Sequence, residues 1–162
     1  MKTITSIFVL SLITFLVGAQ TSTTSHTDPV FKNKAIGVAY SHYIQLKNAL
    51  VASDMETAKK ASDDLMKSLK PIKETDKAYA SSVKVATATT LAEQRSAFTE
   101  LSNEMLKVVN GDKLSAGSIY LEYCPMVNGN TGGYWLSNEN EIKNPYFGDR
   151  MLRCGSVKEI IN

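Results

Sequence analysis

The chain has 162 residues, a formal net charge of +2 and 43% hydrophobic residues. That length suits one domain with a real core. A near-neutral chain without a dense lysine/arginine run lacks the electrostatic footprint of a nucleic-acid binder or of a basic membrane-surface patch.

The first segment reads as a targeting signal. Lys2 is the only charge before residue 20, and residues 7–17 are apolar apart from Ser11 and Thr14. Val17-Gly18-Ala19 then places small residues ahead of a cut before Gln20. A positive start, a short apolar stretch and a small-residue site make residues 1–19 a secretory signal peptide, and the protein periplasmic or secreted. The apolar run falls short of the roughly 20 residues of a membrane span, so none is expected after cleavage. Residues 20–28 are polar and rich in Ser and Thr, a composition expected of a disordered leader. His26 lies within it and reads as solvated.

Residues 29–162 are expected to form a single domain, with a helical part over 29–110 and a cap over 111–162. Ala35, Ala39, Tyr43, Leu46 and Leu50 recur at helical spacing and predict a first helix. His42 reads as a boundary residue satisfied by a neighbour. Ser53-Asp54-Met55-Glu56 fits a capping box that opens a second helix, with Ala58, Ala61, Leu65 and Leu69 inward and a stop at Lys70-Pro71. Tyr79, Val83 and Ala86 form a thin third stripe in a Ser/Thr/Val-rich stretch of low helix propensity. Thr90-Leu91-Ala92-Glu93 is a second capping box, followed by Phe98, Leu101, Met105 and Val108, with a stop at Asn110-Gly111. The fold class read from this pattern is mainly α, an antiparallel four-helix bundle with short connections.

After Gly111 the period changes. Ile119, Leu121 and Tyr123 alternate with polar positions and predict a short strand. Asn128-Gly129, Gly132-Gly133 and Asn144-Pro145 are turn signals. A small irregular α+β cap anchored by Trp135 and Phe147 is expected, with Tyr146 packed in a turn or offered to a partner.

The cap carries the chemistry. The only two cysteines, Cys124 and Cys154, each have a methionine within three residues, Met126 and Met151. Two thiols and two thioethers are four soft donors, suited to Cu(I) or Ag(I). Structural zinc prefers Cys and His, and no histidine is near in sequence. Pro125 pushes Cys124 toward an extended conformation, and the spacing of Met151 and Cys154 would place both on one face of a helical turn. The same cysteines could instead form a disulfide, the default for two cysteines in an exported chain. Closing that loop of about 30 residues would stabilise the fold by roughly 3 to 4 kcal/mol, with Met126 and Met151 then filling gaps in the core. Asp63-Asp64 and the pair Glu139/Glu141 read as exposed acids. No hydrolase or nucleotide-loop motif occurs, and the chain is expected not to be an enzyme.

Several stretches resemble a known domain. Tyr123-Cys124-Pro125-Met126, Trp135-Leu136-Ser137, Ile142-x-Asn144-Pro145-Tyr146-Phe147-Gly148 and Met151-Leu152-x-Cys154-Gly155 resemble a bacterial periplasmic domain of unknown function. That domain is found alone after a signal peptide or at the C-terminus of membrane-fusion proteins of copper/silver efflux systems. Tyr43 through Val51 resembles its first-helix motif, and Phe98-x-x-Leu101-Ser102 its last-helix motif. The resemblance implies an envelope protein handling heavy metal beside an efflux component, with Cys124, Met126, Met151 and Cys154 as ligands. Tyr-x-Cys-Pro-Met segments of copper-transporter modules are similar, but they continue with histidine where this chain has Val127.

Overall fold

The computed structural model describes residues 28–162. The expected signal peptide, His26 and all but the last residue of the expected leader lie outside the described residues. Asp28 accepts a hydrogen bond from the Asn138 side chain at 3.1 Å.

The domain is mainly helical. Helix α1 spans Lys34–Val51, α2 Met55–Leu69, α3 Asp76–Thr87 and α4 Leu91–Asn110. Each helix packs on the next in the chain, and α1 also touches α4. The described residues also form five strands: β1 Val30–Phe31, β2 Leu114–Ala116, β3 Ile119–Cys124, β4 Gly133–Ser137 and β5 Ser156–Ile161. They form a two-stranded antiparallel pair, β1-β2, and a three-stranded antiparallel sheet in the order β4-β3-β5. No helix among the described residues is long and apolar enough to cross a membrane.

Local chemistry accounts for most boundaries. The box at Thr90 and Glu93 is formed in both directions, satisfying two orphan donors at the start of α4. The box expected at Ser53 is not. Asp54 caps α2 by accepting from the Thr57 amide at 3.0 Å, while Ser53 turns to a positive φ of 58°. Its hydroxyl instead accepts from Arg95 at 2.9 Å. A tertiary contact has taken the side chain that the spacing offered to the helix.

The buried faces also shift. In α3 they are Ala78, Ser81, Ser82 and Val85, one position away from the stripe of Tyr79, Val83 and Ala86. Small serines sit there because α2 and α3 approach closely, and Ser62 donates to the Ser82 carbonyl at 2.8 Å. In α4 Val109 is buried and Val108 only partly so. The stretch before α1 is a strand rather than helix, since β1 has β2 to pair with.

The cap combines a three-stranded antiparallel sheet with an irregular stretch over residues 138–155 that includes a 3₁₀ segment. Trp135 is fully buried, and its anchoring partner is Tyr146 at 5.9 Å, edge to face, while Phe147 stays half-buried. Tyr146 therefore belongs to the core and not to a partner surface. The sheet is bolted to the helices by Tyr43. Its ring stacks on Phe98 at 5.4 Å, its hydroxyl meets Ser102 Oγ at 2.8 Å, and it accepts from the Leu136 amide at 3.1 Å. Burial holds the Tyr43 phenol well above its usual pKa, so the hydroxyl keeps its proton for these bonds.

Candidate functional site

Strand pairing brings the two cysteines together. Cys124 ends β3 opposite Gly133 of β4, and on the other side Tyr123 pairs with Ser156 of β5. Cys154 stands two residues before β5, so the register of β3 with β5 delivers it to Cys124. The two Sγ atoms are 2.7 Å apart, closer than two unbonded sulfurs rest. Cys124 is buried and Cys154 is partly exposed, so the pair opens to solvent on one side.

The approach of Cys154 is built by its neighbours. Gly155 has φ +145°, and a Cβ there would come within 2.9 Å of the Trp135 ring and 3.0 Å of the Tyr123 carbonyl. A side chain at 155 would therefore push the 154–156 backbone off β3. Buried Asn144 holds the other side. Its amide nitrogen donates to the Cys154 carbonyl at 2.8 Å, and its backbone N–H donates to the Leu152 carbonyl at 2.8 Å. The Cys154 N–H in turn donates to the Met151 carbonyl at 3.0 Å. Met151 and Cys154 thus share a tight turn that follows a short 3₁₀ segment, Gly148–Arg150, rather than a helical turn.

The thioethers are less closely gathered. Met126 lies in the turn after β3 with 47% of its surface exposed, and Met151 is partly buried. The structure brings the two cysteine sulfurs together, and among the described residues no hydrogen bond joins either methionine sulfur to them. No group of three or more His, Cys, Asp or Glu residues that could hold a metal occurs among the described residues. Cysteine sulfurs are soft donors, whose chemistry fits a soft monovalent ion better than a hard one. The hydrogen bond with Cys124, then burial, pushes the Cys154 thiol up to about 11. Metal binding at neutral pH would have to displace that proton.

A second cluster lies under the same sheet, and nothing in the residue spacing marked it. Glu122, two residues before Cys124, is fully buried, with neither carboxylate oxygen hydrogen-bonded. Burial pushes its carboxyl up to about 8, against the opposing pull of Lys47 and of the Trp135 indole. The Trp135 N–H lies close enough to favour the charged form, yet makes no hydrogen bond of acceptable geometry. Lys47 on α1 is only 2% exposed, and its pKa is lowered by burial, which Glu122 and Glu139 partly offset. Glu122 falls at a polar position of an alternating strand, where the pattern points it to solvent.

The remaining candidates are simpler. His42 is partly buried and its Nδ1 has no hydrogen-bond partner, so it is not the satisfied boundary residue expected. Asp64 pairs with Lys67 at 2.8 Å, and Asp63 is exposed. Glu139 pairs with Lys143, and Glu141 with Arg153 at 3.3 Å.

Residues 39–117 match the family model described as Protein of unknown function (DUF3347). No curated protein and no solved structure matches the chain. The DUF3347 segment runs from within α1 to just past β2. It contains Tyr43 and Phe98, whose stacked rings tie α1 to α4. It ends before β3, so all four cap sulfurs lie beyond it.

Proposed function

We propose that this is an exported cell-envelope protein that takes up Cu(I) or Ag(I) as cargo on the thiols of Cys124 and Cys154, with Met151 and Met126 as supporting thioethers. The observation that carries this reading is the contact of the two thiols, 2.7 Å apart with one side open. Two adjacent soft donors, one on a strand end and one in the turn beside it, need only move apart to admit a soft ion between them. Met151 is on the same turn as Cys154, and Met126 is two residues from Cys124. Thioethers are weak and exchangeable, which suits transfer to an efflux component or buffering more than permanent storage. The likeness of the Tyr-Cys-Pro-Met and Met-x-x-Cys-Gly stretches to efflux-associated domains supports the same reading. Part of this proposal is that the chain is not an enzyme, and that its four helices form an antiparallel up-down bundle, as their short connections favour.

A competition titration of the fully reduced protein with Cu(I) against a chelator tests it. One equivalent of metal, lost when both Cys124→Ser and Cys154→Ser are introduced, is expected. Uptake that survives the double replacement removes this ligand set, and no uptake removes the function.

The same contact supports a second reading, a disulfide-stapled interaction module without metal. Joining the two sulfurs would release two protons and two electrons to an external oxidant such as dissolved oxygen. Intact mass of protein isolated without reductant separates the two. A loss of two hydrogens throughout, with no copper uptake after mild reduction, selects the staple.

A further inference from the structure

A cavity of about 400 Å³ lies between the first turn of α4 and the loop that follows β4. Leu91, Val127, Tyr146 and Phe147 supply apolar walls, and Arg95 and Arg150 supply two guanidinium groups. No carboxylate lines it. Its size is that of a small-molecule site, in which apolar walls carry a few fixed polar groups.

The two arginines are unusual in how they are partnered. Arg95 donates from Nε to the Pro145 carbonyl at 2.9 Å, and from one terminal nitrogen to the Leu50 carbonyl and Ser53 Oγ, each at 2.9 Å. All three acceptors are neutral. They fix the guanidinium in place and leave its other terminal nitrogen, Nη1, without a hydrogen bond among the described residues. Arg150 is exposed and makes no hydrogen bond or ion pair among them. The third arginine, Arg153, does have a carboxylate partner in Glu141. Burial, and then the charge of Arg150, lower the pKa of Arg95, so the two cations feel each other across the cavity. Two like charges facing one space with no anion between them are a binding opportunity, because a carboxylate placed there relieves the repulsion and offers acceptors to both planar forks.

We infer that this cavity binds a small organic carboxylate with an apolar body, its carboxylate held between Arg95 and Arg150 and its apolar part against Tyr146 and Phe147. The apolar walls separate this ligand class from free phosphate, which would leave them solvated. The inference is independent of the cysteine pair and stands or falls without it.

Benzoate is the probe, followed by calorimetry and by ligand-detected magnetic resonance on the whole protein. Saturable binding is expected, weakened roughly tenfold or more by Arg150→Ala, the loss of a charge-assisted contact. Arg150 is exposed and its side chain makes no hydrogen bond or ion pair among the described residues, so that variant should melt like the parent. Arg150→Lys should retain part of the affinity, and benzamide, the neutral isostere, should bind much more weakly. The inference is overturned by absence of benzoate binding, by equal binding of benzamide, or by unchanged affinity in Arg150→Ala. Tighter binding of inorganic phosphate than of benzoate would overturn the apolar-body assignment.

Discussion

Glu122→Gln should remove most of a pH dependence that the native protein carries. A free glutamate titrates near 4.3. In the folded protein, burial with no hydrogen bond to either oxygen holds the Glu122 carboxyl at about 8. The folded state therefore keeps a proton that the unfolded chain gives up over this interval. The stability linked to that proton is complete below pH about 4.3, falls as pH rises, and stops falling above pH about 8. At about 1.36 kcal/mol per pH unit, the loss reaches roughly 3 to 4 kcal/mol by pH 7 for a folded-state value of about 8. That is a large share of the roughly 5 to 15 kcal/mol typical of a domain. The amide of glutamine cannot ionise, so the variant should gain on the parent by roughly 3 to 4 kcal/mol between pH 5 and pH 8. Urea unfolding at pH 5, 6, 7 and 8 measures this directly. The difference between the two proteins isolates residue 122 from every other group titrating in the same range. Parallel stability curves for parent and variant would refute the reasoning, since they would mean that the buried carboxyl is solvated or paired in solution.

Because the Cys154 proton is held up to about 11, apparent Cu(I) affinity should climb with pH, approaching tenfold per unit for each proton displaced; competition titrations between pH 6.5 and 8.5 would read it. Arg95→Ala removes three hydrogen bonds that join α4 to the end of α1, the turn before α2 and Pro145, and should cost about 2 to 4 kcal/mol in urea unfolding. Gly148→Ala should damage the same junction. Its φ is +55°, and an added Cβ would stand 2.7 Å from the Arg95 guanidinium and 3.0 Å from the Val51 carbonyl, so a loss of about 1 to 3 kcal/mol is expected by thermal melting. Thr90→Ala opens the capping box and should cost about 1 kcal/mol, with the exposed start of α4 exchanging its amides faster.

Local signals accounted for the helices well. Four helices, the Thr90 box, the stop at Lys70-Pro71 and the strand at residues 119–124 all follow from side chains acting within a turn or two of their own position. Such signals survive in sequence because their partners are close in sequence. The misses have the opposite character. Ser53 was offered to α2 and taken by Arg95, 42 positions away. The α3 face rotated by one position because the contact with α2 favours small serines over Tyr79 and Val83. In the cap the turns were visible, while β4, β5 and their pairing with β3 were not.

The same division runs through the candidate sites. The sequence alone marked the four sulfurs, their softness and the absence of nearby histidine, because composition and spacing are all that such a reading requires. Tertiary structure alone decided that Cys124 meets Cys154, since β3 and β5 must pair before residues 30 positions distant can touch. It alone also placed Glu122 and Lys47 in one interior and Arg95 beside Arg150. Charged residues in a sequence read as solvated until packing takes their water away, and only the assembled fold shows where that happens.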